Sequence, residues 1–358
     1  DELDGQLVSL ATREQKMVKI YNFIRHNMSW NGIHSKYSVD GIKDAWKKRT
    51  GTSGDINLLL VNRLRDAGLE AYPLLVSERS NGKVNTDYPF INQFNSVMAC
   101  VIVDGKKYYL DATDQYTPAR IIPYRILNTT AFLVNRNSGE LINITDDAMQ
   151  FSEYITNILE VRSDGTVKGE ISIQNQDYAR VEKSEIISKD DEFNKKLSQA
   201  TEGFQMNITG SRIDNRDNDS LSLEQDIDYT AQLNETGGYK ILPLNFIPEF
   251  QKNPFTSDHR FSNINFGYKR NFSLMVSAQL PRDMVPDALP NAVSMTTADN
   301  SVMFKRKLRY DSTNNTLDCN IDISFKISLV DAESYDTLKE MYKKIFAYLK
   351  EPVLLKKK

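Results

Sequence analysis

The pentapeptide Gly51-Thr52-Ser53-Gly54-Asp55 leads straight into the apolar run Ile56-Asn57-Leu58-Leu59-Leu60. Small and hydroxyl residues followed by an acid, immediately before an apolar run, make a helix start, because they satisfy first-turn N–H groups and place negative charge at the positive end of the dipole. This predicts a helix running to about Ala67 with Ser53 as its cap. The same position would let first-turn N–H groups stabilise a thiolate or an oxyanion. A serine gains little from that field, since its hydroxyl is too weak an acid, and it needs a general base beside it. Ser53 therefore reads either as a cap or as a nucleophile, and the base decides between them.

Candidate bases are few. The chain has three histidines: His26 at the end of an amphipathic helix, His34 in a polar loop after Trp30 and Gly32, and His259 far along the chain in Thr256-Ser257-Asp258-His259-Arg260. None falls on a strand expected to face Ser53. No Ser-x-x-Lys pattern starts at Ser53, because position 56 is Ile56.

Around this helix the pattern is ordered. Residues 13 to 27 repeat apolar side chains at helical spacing (Met17, Ile20, Tyr21, Ile24), and a short helix is expected near 41 to 48. Residues 69 to 76 suit a strand. Residues 95 to 103 and 106 to 110, joined by Asp104-Gly105, carry the strongest hairpin signal in the chain.

From Trp46 to Val76 the chain resembles the central segment of the transglutaminase-like superfamily, papain-like proteins in which a G-x-C-x-D motif opens a helix that ends near Arg-x-x-Gly-hydrophobic-x-Ala. Here those positions are Gly51, Ser53 and Asp55, then Arg65-Asp66-Ala67-Gly68-Leu69-Glu70-Ala71. The family's histidine follows an Asn at a strand start, and its aspartate follows a Tyr-x-Leu strand. The matching stretches are Phe94-Asn95-Ser96-Val97 and Tyr108-Tyr109-Leu110-Asp111. The resemblance thus implies triad positions at Ser53, Ser96 and Asp111, with only the aspartate kept. A serine at 96 has no proton affinity near neutral pH, so Asp111 would have no imidazole to orient. Asp111 also reads as a strand-end residue bonded to local backbone.

The expected fold class is α+β: a papain-like, transglutaminase-like domain over residues 1–124, then a mainly antiparallel, β-sandwich-like domain over 125–358. In that second part, Tyr154 to Val161 and Val167 to Ile173 flank Asp164-Gly165 as a second hairpin, and 178 to 199 reads as helical, with a further helix starting at Asp190-Asp191. The alternation Ile321, Ile323, Phe325, Ile327, Leu329 predicts one strand face. Tyr335, Leu338, Met341, Tyr342, Ile345 and Leu349 predict a closing amphipathic helix. Asn253-Pro254-Phe255 reads as a turn anchored by one aromatic.

The functional expectation is a catalytically silent binding or structural module for a peptide, a protein or a cell-surface glycan. Trp30, Asn95 and Tyr108 are its candidate cleft-lining residues. The alternative is a cysteine-type peptidase, amidase or transglutaminase-like enzyme with an altered or disabled nucleophile. A net charge of −3 speaks against a nucleic-acid face. Two cysteines in apolar alternating runs, Cys100 and Cys319, suit buried free thiols, and with three scattered histidines they suggest neither a metal nor another cofactor. No stretch is long and apolar enough to span a bilayer. The resemblance, of a Bacteroidetes type, further implies a periplasmic or cell-envelope location and a longer polypeptide of which this is the C-terminal portion.

Overall fold

The computed structural model describes residues 2–88, 90–136, 138–187 and 204–358. The described chain divides into two compact units, 1–148 and 149–358. The boundary expected at 124/125 falls later because two further strands pair into the first unit's sheet.

The first unit contains α1 (Glu2–Leu7), α2 (Arg13–Asn27), β1 (Ser29–Trp30), α3 (Ile42–Lys48), β2 (Thr50–Gly51), α4 (Ser53–Asp66) and β3 (Glu70–Val76). These are followed by β4 (Ser96–Val103), β5 (Lys106–Leu110), β6 (Thr129–Val134) and β7 (Gly139–Ile144). Strands β5-β4-β3-β6-β7 form an antiparallel sheet, with β1 and β2 as a separate short parallel pair. β6 docks on β3 at Leu74↔Leu133, Leu75↔Phe132 and Val76↔Ala131, which carries the unit past residue 124.

The β4–β5 hairpin closes through Asp104 (φ 50°) and Gly105 (φ 81°), two consecutive left-handed residues whose twist matches that of the strands. Helices α2 and α4 cover one sheet face, where Ile20, Tyr21, Ile24, Leu60 and Leu64 meet Ala99, Val101 and Leu110. Leu74, Met98, Cys100, Ala131 and Leu133 fill the opposite face. β4 is therefore apolar at nearly every position rather than alternating, as a strand covered on both sides must be.

The second unit is β-rich. It comprises β8 (Gln150–Val161), β9 (Thr166–Asp177), α5 (Tyr178–Ile187), β10 (Gln205–Asp214), β11 (Leu223–Gln232), β12 (Asn234–Thr236), β13 (Tyr239–Leu242) and β14 (Ile264–Asn265). After these come β15 (Lys269–Gln279), β16 (Met284–Ala288), β17 (Val293–Thr296), β18 (Val302–Asp311), β19 (Thr316–Phe325), β20 (Leu329–Val330), α6 (Tyr335–Leu349) and β21 (Val353–Lys357). Eight strands form the sheet β10-β11-β9-β8-β15-β19-β18-β17, antiparallel except for the β8/β15 pair, and four more form β12-β13-β21-β16. The molecule is thus an α+β protein with a mainly antiparallel second unit.

The β8–β9 hairpin forms around Asp164-Gly165 as the sequence predicts. Alternation in β19 stops at Phe325: the chain leaves the large sheet there, and Leu329 is exposed on the short β14/β20 pair. α5 follows the predicted helix to Ile187. The helix expected from Asp190-Asp191 lies outside the described residues. α6 buries the predicted apolar face, with Tyr342 stacked on Phe250 and tilted against Phe325. Phe255 anchors its turn edge-on against Tyr342, with ring centroids 4.6 Å apart.

Candidate functional site

Helix α4 begins one residue earlier in function than the sequence suggests. Thr52, not Ser53, is the N-cap: its hydroxyl accepts from Asp55 N at 3.2 Å, while Asp55 Oδ2 accepts from Thr52 N at 3.0 Å and from Thr52 Oγ1 at 2.7 Å. This reciprocal box satisfies both ends, so Ser53 is released from capping into the first turn. Burial pushes the Asp55 carboxyl up, but hydrogen bonds from Ser38, Thr52 and Val39 outweigh it and hold the group below the usual carboxylate range.

The three residues singled out by the resemblance lie in one hydrogen-bonded neighbourhood. Ser96, the first residue of β4, donates from Oγ to Ser53 Oγ at 2.9 Å, and both side chains are buried. Ser53 Oγ also accepts from Ser35 N at 2.8 Å and donates to Ser35 O at 3.1 Å. Among the described residues no histidine or lysine nitrogen contacts it. Asp111, just past the end of β5, is joined to the others through Asn57, one turn along α4. Asn57 Nδ2 donates to Asp111 Oδ1 (3.0 Å) and to Val97 O (2.9 Å), and Asn57 Oδ1 accepts from Ala112 N (2.8 Å).

Asp111 meets a guanidinium rather than an imidazole. Its Oδ2 pairs with Arg125 Nη2, and Oδ1 accepts from Thr113 N and Thr113 Oγ1. The expected local backbone bond is thus present beside an ion pair that the sequence did not announce. Burial works against the charge on Arg125, but Asp111, Glu78 and Asp114 outweigh it and raise its pKa. The guanidinium carbon lies 5.3 Å from the centre of the Trp30 ring, within cation–π reach.

Behind Arg125 stands Glu78, almost fully buried. Its Oε1 lies 3.6 Å from Arg125 Nη1 and 3.1 Å from His34 Nδ1, yet neither contact is aligned as a hydrogen bond to that oxygen. Burial raises the Glu78 pKa, Arg125 and His34 pull it back, and Asp111 adds to the rise. The His34 ring stands edge-on to Trp30, with centroids 4.9 Å apart. His34 therefore belongs to this neighbourhood.

Of the expected cleft residues, Trp30 and Asn95 border the cluster. The Asn95 side chain accepts from Glu78 N at 2.9 Å. Tyr108 does not belong there. Its register opposite Val101 turns it into the helix-packed core, where its hydroxyl donates to Glu14 on α2 at 2.8 Å. Sequence reasoning missed Asn57, whose signal was a lone amide inside an apolar helical run. It also missed Glu78, just past the end of β3, and Arg125, in a single 3₁₀ turn (Tyr124–Ile126), neither of which carries a pattern.

The centre is closed, with Ser53 and Ser96 only 2% and 1% exposed. A cavity of about 650 Å³ opens instead along α3 and α4, over Ile42, Trp46 and Leu59, and none of the triad positions line it. Among the described residues no group of three His, Cys, Asp or Glu side chains could hold a metal, and no helix is long and apolar enough to cross a membrane. Cys100 and Cys319 are buried free thiols, each pushed up to about 12 by burial.

A domain family described as a domain of unknown function with a solved structure, DUF3858, matches residues 238–355, inside the second unit. No curated protein matches the chain. A crystal structure described as a "putative protease", from Parabacteroides distasonis ATCC 8503, resembles it with a TM-score of 0.56 at 14% identity, over 97% of this chain and 52% of that one. The chain therefore spans about half the length of that neighbour, and at such identity the likeness speaks for the fold. The crystal structure of baculovirus P35 also aligns, at a TM-score of 0.17 and 8% identity over 52% of this chain and 97% of that one, too distantly to carry an argument.

Proposed function

We propose that this chain is a transglutaminase-like protein that works without turnover, as an extracytoplasmic binding or structural module. The observation that carries this reading is the direct contact between Ser96 Oγ and Ser53 Oγ at 2.9 Å, where acyl-transfer chemistry of this kind needs a proton acceptor. Neither hydroxyl can take the other's proton near neutral pH. Asp111, the one retained triad residue, spends its second oxygen on Arg125. The site keeps its geometry because Asn57 ties helix and strands together, which serves folding whether or not chemistry occurs.

Purified protein is expected to hydrolyse no peptide or amide substrate, to transfer no acyl group to an amine, and to leave Ser53 unlabelled by a serine-directed fluorophosphonate. Labelling that vanishes in Ser53→Ala would overturn the reading. A second reading, peptide hydrolysis of the kind named for the Parabacteroides neighbour, has one observation in its favour. His34, paired with buried Glu78, directly precedes the residue whose backbone grips Ser53. That reading predicts labelling that also disappears in His34→Ala. Placement in the cell envelope belongs to the same proposal and rests on the family resemblance. Fractionation of cells making the full-length protein tests it.

A further inference from the structure

Ser53 is buried by a segment that contributes almost nothing to the core. Residues Ile33 to Asp40 cross the N-terminus of α4, yet the large apolar side chains Ile33, Tyr37 and Val39 are 56%, 56% and 64% exposed. The segment is held instead by polar ties. Ile33 O accepts from Ser53 N (3.0 Å) and from Trp30 Nε1 (3.0 Å), and both backbone groups of Ser35 bond Ser53 Oγ. Ser38 Oγ and Val39 N donate to Asp55 Oδ1 at 2.6 and 2.9 Å, and His34 faces Glu78. Water can replace every one of these on opening, and little apolar area would be surrendered.

The ends and the underside fit a movable cover. Gly32 and Gly41 bracket the segment, both at φ +85° with open space where a Cβ would stand. That backbone region costs glycine little and suits a hinge. Beneath the segment lies Gly54, where a Cβ would come within 2.0 Å of Tyr37 O and 2.6 Å of Tyr37 C, so the closed position exists only because residue 54 has no side chain.

We propose that residues 33–40 form a hinged strap that gates Ser53, closed as seen here and able to lift about Gly32 and Gly41 without disturbing α4 or the sheet. The strap's backbone occupies the ground in front of the Ser53 hydroxyl that a ligand would need. Binding at this centre then requires strap opening, while the charged cluster of Glu78, Arg125 and Asp111 remains in place below. The gate stands whether the centre binds or turns over, so its test is separate from the phosphonate experiment.

The test is the rate at which the thiol-specific reagent DTNB modifies Ser53→Cys. In the folded protein the native thiols provide a silent background, since Cys100 and Cys319 are both 0% exposed, and the chain without Ser53→Cys corrects for them in urea. Ser53→Cys should react far more slowly folded than unfolded in urea. Adding Gly54→Ala should accelerate the folded reaction by at least roughly tenfold, because alanine is a better helix former and the new methyl displaces only the strap. Circular dichroism checks that the double variant is folded. Ser53→Cys with Ser38→Ala, which removes one strap tie and adds no atom, should accelerate more modestly and decides the matter if Gly54→Ala unfolds. A Ser53→Cys thiol that reacts as fast folded as unfolded would overturn the strap as a cover. Unchanged slow rates in the folded variants would overturn it as the gate.

Discussion

Replacing Asn57 by alanine should unfold the first unit far more readily than any exposed substitution. The side chain is fully buried and makes three bonds, to Asp111 Oδ1, Val97 O and Ala112 N. After truncation Asp111 keeps Thr113 and Arg125, but Val97 O and Ala112 N lose a buried partner. At about 1–3 kcal/mol for each orphaned group, the loss is about 2–6 kcal/mol, against a typical domain stability of about 5–15 kcal/mol. Asn57→Asp conserves shape and still accepts from Ala112 N. It sets a carboxylate against Asp111 and the Val97 carbonyl, so it should be no more stable than the alanine variant. The assay is urea unfolding followed by tryptophan fluorescence. The chain's two tryptophans, Trp30 and Trp46, both lie in the first unit, so the signal reports that unit. Asn62→Ala, at an exposed position of the same helix, serves as control and should change stability by less than about 0.5 kcal/mol. A loss below about 1 kcal/mol in Asn57→Ala, or wild-type stability in Asn57→Asp, would refute the view that this amide organises the site.

Further expectations concern the second unit and the hairpin. Glu153 is buried against Lys183 and Glu249, and burial first, then Glu249, pushes its pKa up to about 8 from an ordinary 4.5. Its contribution to stability is complete below pH 4.5 and is lost as pH rises toward 8, so thermal melts should fall over that range in the wild type and stay flatter in Glu153→Gln. Glu249, whose pKa is lowered, loses its contribution only as pH falls below 4.5 and leaves the window clear. Arg306 is buried and donates to Tyr348 O at the end of α6 and to Asn291 O. Arg306→Met should cost roughly 2–4 kcal/mol in denaturant unfolding followed by far-ultraviolet dichroism. Gly105→Ala forces a Cβ onto the left-handed second turn residue and should lower the first unit's stability by about 1 kcal/mol, again read by tryptophan fluorescence.

Much of the framework follows from local chemistry that the sequence carries by itself. Thr52 to Asp55 start a helix wherever they stand, Asp104-Gly105 closes a hairpin because its two residues tolerate positive φ, and the apolar stripe of α6 admits one packing side. That Ser53, Ser96 and Asp111 lie near one another was an expectation of the family resemblance, not of local chemistry; the contacts themselves, Ser96 on Ser53 and Asn57 on Asp111, are tertiary. The domain boundary was not, because nothing in Thr129–Val134 says that this strand pairs with Glu70–Val76 from the preceding domain rather than with the strands that follow. Period-two alternation names two faces without saying which is inward, so Tyr108 could be placed in a cleft and proves to pack under α2. The charged cluster is the clearest case of a tertiary decision. His34, Glu78 and Arg125 lie in three separate connections, the last in a short 3₁₀ turn, with no pattern among them, and each becomes meaningful only when the sheet and α4 bring those connections within a few ångströms. Electrostatic pairing inside a protein depends on distance and burial, and both belong to the folded chain rather than to its letters.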